Sequence, residues 1–107
     1  MLKKANRINK TRDLQRVYRL GKPVHTSALV IKFVPAERVQ VAFVVSKKVS
    51  KKAVDRNRIK RILREYMRLH LDRHKPGKYL VMVKPSAAGL NSRSLRAELQ
   101  KSLSKIQ

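Results

Sequence analysis

Residues 38–84 read RVQVAFVVSKKVSKKAVDRNRIKRILREYMRLHLDRHKPGKYLVMVK. The stretch reads as strand, helix, strand. In 38–46, Val39, Val41, Phe43 and Val45 alternate onto one face, the signature of a strand with one buried side. From 52 to about 72 the period changes. Ile59, Ile62, Leu63, Tyr66 and His70 fall at i, i+3, i+4, i+7 and i+11, an apolar helical stripe, with Ser50 as a candidate cap. Pro76-Gly77 breaks the chain, and 79–84 (YLVMVK) forms a third clear strand stopped by Pro85. Two strands joined through a helix fit parallel neighbours; such crossovers are normally right-handed, and patterning does not reveal the hand.

Outward from this unit, 28–34 (ALVIKFV) is a strand ended by Pro35. The short AER connector to the next strand predicts an antiparallel hairpin. Upstream, Thr11 is a candidate cap for a short helix whose Leu14, Val17 and Tyr18 share a face. Asp13 suits the helix dipole, and Gly21 with Pro23 ends the helix. A further short strand near Val24 is weakly signalled. Residues 1–10, with Lys3, Lys4, Arg7 and Lys10, read as a basic arm. Residues 86–90 form a loop. Asn91 or Ser92 caps a last helix with Leu95, Leu99, Leu103 and Ile106 on its buried face. The order α-β-β-α-β-α predicts a single α+β domain over 1–107, a sandwich of helices on one sheet.

The chain carries 28 Lys plus Arg against 6 Asp plus Glu, a formal charge of +22. Its charged fraction of 32% is only modestly above the usual value of about 25%, so the anomaly is the sign. Self-repulsion on this scale destabilises a compact chain, and the partner that offsets it is a polyanion: RNA, DNA or an anionic membrane. The hydrophobic fraction of 42% argues against disorder. With no cysteine, disulfides, thiolate catalysis and cysteine zinc sites are excluded. No apolar run approaches the roughly 18–20 residues of a membrane span, and MLKKANRINK lacks the apolar core of a signal peptide. The expectation is a cytoplasmic protein with no membrane partner and no small-molecule substrate.

The charge is concentrated on the long helix. At about 100° per residue from Arg56, Lys60, Arg64 and Arg68 follow at about 40, 80 and 120°, with Asn57 near 100° and Arg61 near 140°. The predicted apolar stripe centres near 290°, almost opposite. One side therefore enters the core and the other is a cationic ridge with an amide inside it. Steps of i, i+4 place charges about 6 Å apart, comparable with phosphate spacing along a nucleic-acid strand. Arginine suits the task because its planar fork grips phosphate and stacks on bases. A merely solvated basic face normally interleaves acids at i±4, and here Glu65 is the sole acid between Asp55 and Asp72.

Other constellations are weaker. His70 and His74 have the i, i+4 spacing of metal ligands, but a third ligand is wanting and His70 lies on the apolar stripe, which favours core packing. Glu65 and Asp72 lie roughly 10 Å apart along the axis with nothing converging on them. No Ser-His-Asp set or glycine-rich phosphate loop is present. Tyr18 reads by spacing either as core or as the floor of a cleft. Tyr66 and Tyr79 read as core, and alternation does not decide where Phe33 and Phe43 point.

The run Val45-Ser46-Lys47-Lys48-Val49, followed by Ala53-Val54-Asp55-Arg56-Asn57-Arg58-Ile59-Lys60-Arg61-Ile62-Leu63-Arg64-Glu65, resembles the bacterial ribonuclease P protein subunit. The signature is a VSKK segment leading into an RNR-x-KR-x-x-R helix. Leu2-Lys3-Lys4, Asp13-Leu14-Gln15-Arg16-Val17-Tyr18 and Gly21 fit as well. The resemblance implies an α-β sandwich with the RNR helix in a left-handed βαβ crossover. It also implies membership of an endoribonuclease holoenzyme in which a catalytic RNA, using Mg2+ that the RNA mainly holds, removes the 5′ leader from precursor tRNA. The protein would hold no catalytic residue and no stable metal. Arg56, Asn57, Arg58, Lys60, Arg61, Arg64 and Arg68, with Lys47 and Lys48 close by, would face the RNA. Leu14, Tyr18 and Lys32 would line a leader cleft. Leu14 stands where the family often has Phe and Lys32 where some members have Tyr, so this cleft is expected to rely less on stacking and more on charge. Ser50 and Lys51-Lys52 stand where many members have Gly.

Two other classes share the composition. A basic ribosomal protein would have the same charge and size, and the VSKK-to-RNR spacing argues against it. A membrane-active protein would set its cations opposite a lipid-facing stripe, but here that stripe is needed for the core.

Overall fold

The structure, a computed structural model, describes residues 4–106. Leu2 and Lys3 lie outside the described residues. The named elements run α1 (Thr11–Leu20), β1 (Lys22–His25), β2 (Leu29–Pro35), β3 (Gln40–Val44), α2 (Ala53–Leu69), β4 (Gly77–Val83) and α3 (Ser92–Ser104). This is the expected α+β order with the weakly signalled strand at Val24 present.

The sheet order is β1-β2-β4-β3, with β2 antiparallel and β3 parallel to β4. The predicted hairpin is therefore wrong in pairing though right in direction. Strand β4, buried at five of its seven positions, is the most continuously apolar segment and inserts between β2 and β3. The connector must then cross two strand spacings, about 10 Å, which the Cα steps of about 3.8 Å from Pro35 to Gln40 span easily.

Register assigns the faces. Lys32 is paired with Leu80, which is paired with Ala42, so even-numbered residues of these strands share one face and odd-numbered residues the other. The odd face, with Leu29, Ile31, Tyr79 and Val81, forms the main core with Ile59, Leu63 and Met67 of α2 and Leu95, Leu99 and Leu103 of α3. Phe33 belongs to this core and Phe43 packs against it. Helix α1 covers the even face, where its Val17 is buried. An ion pair between Asp13 and Lys78 (3.4 Å) ties α1 to β4, a role beyond the dipole.

Several local expectations change. Lys10, not Thr11, is the N-cap residue of α1, and Lys52, not Ser50, that of α2; neither makes a side-chain cap bond. Ser50 Oγ instead donates to Asp55 and accepts from the Lys52 amide, which braces the segment entering α2. Asn91 does cap α3, accepting from the Ser94 amide. Ile106 lies beyond the end of α3, whose buried face also takes Ser102. The described part of the basic arm is docked: Ile8 donates its amide to Val41 and Asn6 its side chain to the Val39 carbonyl. This covers the outer edge of β3, which would otherwise present unpaired backbone groups.

Gly77 is needed for space. A Cβ there would run into the Phe33 ring and stand 2.7 Å from the Val34 carbonyl oxygen. Gly77→Ala is therefore expected to destabilise the fold by roughly 1–3 kcal/mol, as overpacking does. Urea unfolding checks this, and an unchanged midpoint would contradict the packing described.

Candidate nucleic-acid interface

Helix α2 is held by Ile59, Leu63 and Met67, all buried. At 100° per residue these centre near 340°, about 50° from the expected stripe. Met67 was missed, while Ile62 and Tyr66 are only partly buried, on the flank beside α3. The rotation redistributes the predicted ridge. Asn57, Arg61, Arg64 and Arg68 are exposed, whereas Arg56, Arg58 and Lys60 are half-buried at the flanks.

The flanking arginines also bond inward. Arg56 donates to the Ser50 carbonyl (2.9 Å), and Arg58 Nη1 lies 3.5 Å from the Leu90 carbonyl. Arg68 pairs with Glu65 at 2.7 Å, so the ridge is compensated at this end; the pair lowers the Glu65 pKa and raises that of Arg68. Asn57, Arg61 and Arg64 line a shallow groove with Val54, an apolar residue 77% exposed on this basic side. Lys47 and Lys48 are exposed in the turn closed by the Val49 amide and Ser46 carbonyl, just before α2.

On the opposite face, α1 and the sheet form an open cleft lined by Leu14, Tyr18, Lys32, Val44 and Leu80, with Gln15 and Arg19 at its side. Tyr18 is 57% exposed, so it is cleft and not core. Lys32 Nζ stands 4.0 Å from the centre of the Tyr18 ring and donates to the Tyr18 carbonyl. One ring face is thus covered by an ammonium group. Gln15, Arg19, Val44 and Leu80 were not foreseen. The signal was available: Gln15 and Arg19 flank Tyr18 at i−3 and i+1, and Val44 has the parity of Lys32 and Leu80.

His70 and His74 are held by packing against tyrosines. Among the described residues no three side chains of His, Asp or Glu gather as a ligand set. His70 Nδ1 is 2.9 Å from the Tyr66 carbonyl and its ring packs on Tyr66. His74 is half-buried beside Tyr79, and its Nε2 has no hydrogen-bond partner among the described residues. Burial first, then the nearby His70, lowers the His74 pKa. A depressed folded-state pKa means the unfolded chain binds more protons, so stability is present above the unfolded value of about 6.5 and is lost as pH falls below it. Urea midpoints at pH 7.5 and 5.5 should differ less in His74→Gln than in the parent; an equal difference would contradict this.

The small sandwich thus carries a cationic helix on one side and a basic, aromatic cleft on the other, surfaces whose charge suits a polyanion. The family profile described as Ribonuclease P matches residues 2–107. A ribonuclease P protein component from Nitratiruptor sp. is 31% identical over 106 residues, spanning 99% of this chain and 96% of that one. One from Staphylococcus carnosus is 36% identical, spanning 98% and 90%. The Staphylococcus aureus RNase P protein structure superposes with a TM-score of 0.91 at 28% identity, covering 97% of each chain. The chain belongs to the ribonuclease P protein family. The Thermotoga maritima RNase P protein, at 23% identity and a TM-score of 0.84, shares the fold.

Proposed function

We infer that this chain is the protein subunit of ribonuclease P and assists a partner RNA in removing the 5′ leader from precursor tRNA. The single observation that carries this is the family match over residues 2–107, on a chain whose RNR helix leaves Arg61, Arg64 and Arg68 exposed. Catalysis belongs to the RNA. The ribosomal alternative has no support, since the relatives are ribonuclease P protein components.

In this reading Asn57, Arg61, Arg64 and Arg68 meet the partner RNA with Lys47 and Lys48, while Lys60, Arg56 and Arg58 contact it from the flanks. Leu14, Tyr18 and Lys32 receive the leader of the precursor. Mg2+ is held mainly by the RNA in this reading. The whole chain acts as one RNA-binding domain, including the basic arm, in the cytoplasm. Among the described residues no helix is long and apolar enough to cross a membrane. Affinity purification tests the reading: one RNA of several hundred nucleotides should accompany the protein. Co-purification with ribosomal subunits in its place would overturn it.

A further inference from the structure

Beside β1, near the end of α3, lies a hollow of about 440 Å3, separate from the ridge and the cleft. Its size falls within the roughly 300–1,000 Å3 of small-ligand pockets. The floor is apolar, formed by Leu20, Val24, Phe33 and Ile106, and Leu20 is 62% exposed. The rim carries Lys22 from the start of β1, Lys75 from the segment before β4 and Lys105 from the end of α3. Among the described residues no Asp or Glu lines it. Lys75 Nζ lies 5.5 Å from the centre of the Phe33 ring, and Lys105 donates to the His25 carbonyl at 3.4 Å. Among the described residues none of the three lysines is paired with a carboxylate. Three such ammonium groups around an apolar floor add repulsion to a chain already at +22. An anion with a flat apolar part relieves that repulsion and covers the floor.

We propose that the hollow takes an unpaired nucleotide of the partner RNA, its base on the apolar floor and its flanking phosphates on Lys22, Lys75 and Lys105. The inference rests on the chain having an RNA partner, not on the ridge assignment. The partner RNA is favoured over the leader because of the sheet. Val24 and Phe33 belong to the face carrying α2 and α3, whereas Lys32 and Leu80 of the cleft belong to the other. A leader lying in the cleft reaches the hollow only by passing round the β1 edge beyond Leu20. Apolar base contact of this kind tolerates any base, and lysines read only phosphate.

The full chain has no cysteine, so Lys22→Cys labelled with a benzophenone maleimide gives a single-site crosslinking probe. With partner RNA and no precursor, crosslinks should concentrate in one unpaired tract, and Leu20→Asp should abolish them. The triple variant K22A/K75A/K105A should lower the salt slope of RNA binding by roughly 2, at 0.7–0.9 per lost phosphate contact. An unchanged slope, or crosslinks appearing only when a leader-bearing precursor is added, would overturn the proposal. The R61A/R64A variant separates the two surfaces: a reduced slope there with none in the lysine variant removes the hollow and leaves the ridge standing, and the reverse leaves the hollow standing.

Discussion

Replacing Arg61 and Arg64 together by Ala is expected to weaken partner-RNA binding by roughly 15- to 30-fold at 0.15 M salt. Both side chains are exposed on the ridge and line the same groove. Each lost phosphate contact removes roughly 0.7–0.9 from the slope of log affinity against log salt. Two contacts remove about 1.4–1.8, and that slope difference referred to 1 M salt gives the quoted loss. Arg56→Ala should cost less in binding and something in stability, because its guanidinium already donates to the Ser50 carbonyl. Titrations over a salt series check both. A double variant that keeps the parental slope would show that α2 does not lie along a phosphate backbone.

Tyr18→Ala is expected to weaken binding of a leader-bearing precursor by about 5- to 150-fold, the equivalent of the roughly 1–3 kcal/mol of a base stacked on an aromatic ring, and to leave mature tRNA binding unchanged. Lys32 modifies this in a way that salt exposes. Its ammonium covers one face of the Tyr18 ring, and a cation there is worth roughly 0.5–1 kcal/mol at an exposed site. A base that uses that face must displace it, while a leader phosphate gains it as a partner. Lys32→Ala should therefore bind precursor more weakly than the parent at low salt and as well or better at high salt, the two lines crossing with a slope difference near 0.7. Equal losses for precursor and mature tRNA in Tyr18→Ala would refute the cleft assignment. Parallel lines for Lys32→Ala would show that Lys32 neither meets phosphate nor guards the ring.

The strand-helix-strand unit was legible because period 2 and period 3.6 patterns depend only on neighbours along the chain. So was the helix carrying Asn57, Arg61 and Arg64. Its rotation was not. The expected stripe takes Ile62 and Tyr66 and passes over Met67, yet with α3 beside α2 the first two stay part-exposed while Met67 is buried. That placement moved Arg56 and Lys60 to the flank. The false hairpin has a similar cause: a three-residue connector suits a hairpin locally, but β4 arrives some forty residues later and competes for both edges. Tyr18 was ambiguous because Leu14, Val17 and Tyr18 share a helical face. Val17 alone turned inward, and the cleft opened between its neighbours and the even-numbered residues of the sheet. The hollow at β1 was invisible, since Lys22, Lys75 and Lys105 share no local pattern.

The role inferred for this protein is to assist an RNA that performs the cleavage. Its most direct test is cleavage of leader-bearing precursor tRNA at low magnesium by the partner RNA, with and without the protein. Cleavage should be faster with the protein and absent with the protein alone, and the gain should be diminished in R61A/R64A and in Tyr18→Ala. Equal rates with and without the protein, or cleavage by the protein in the absence of RNA, would contradict that role.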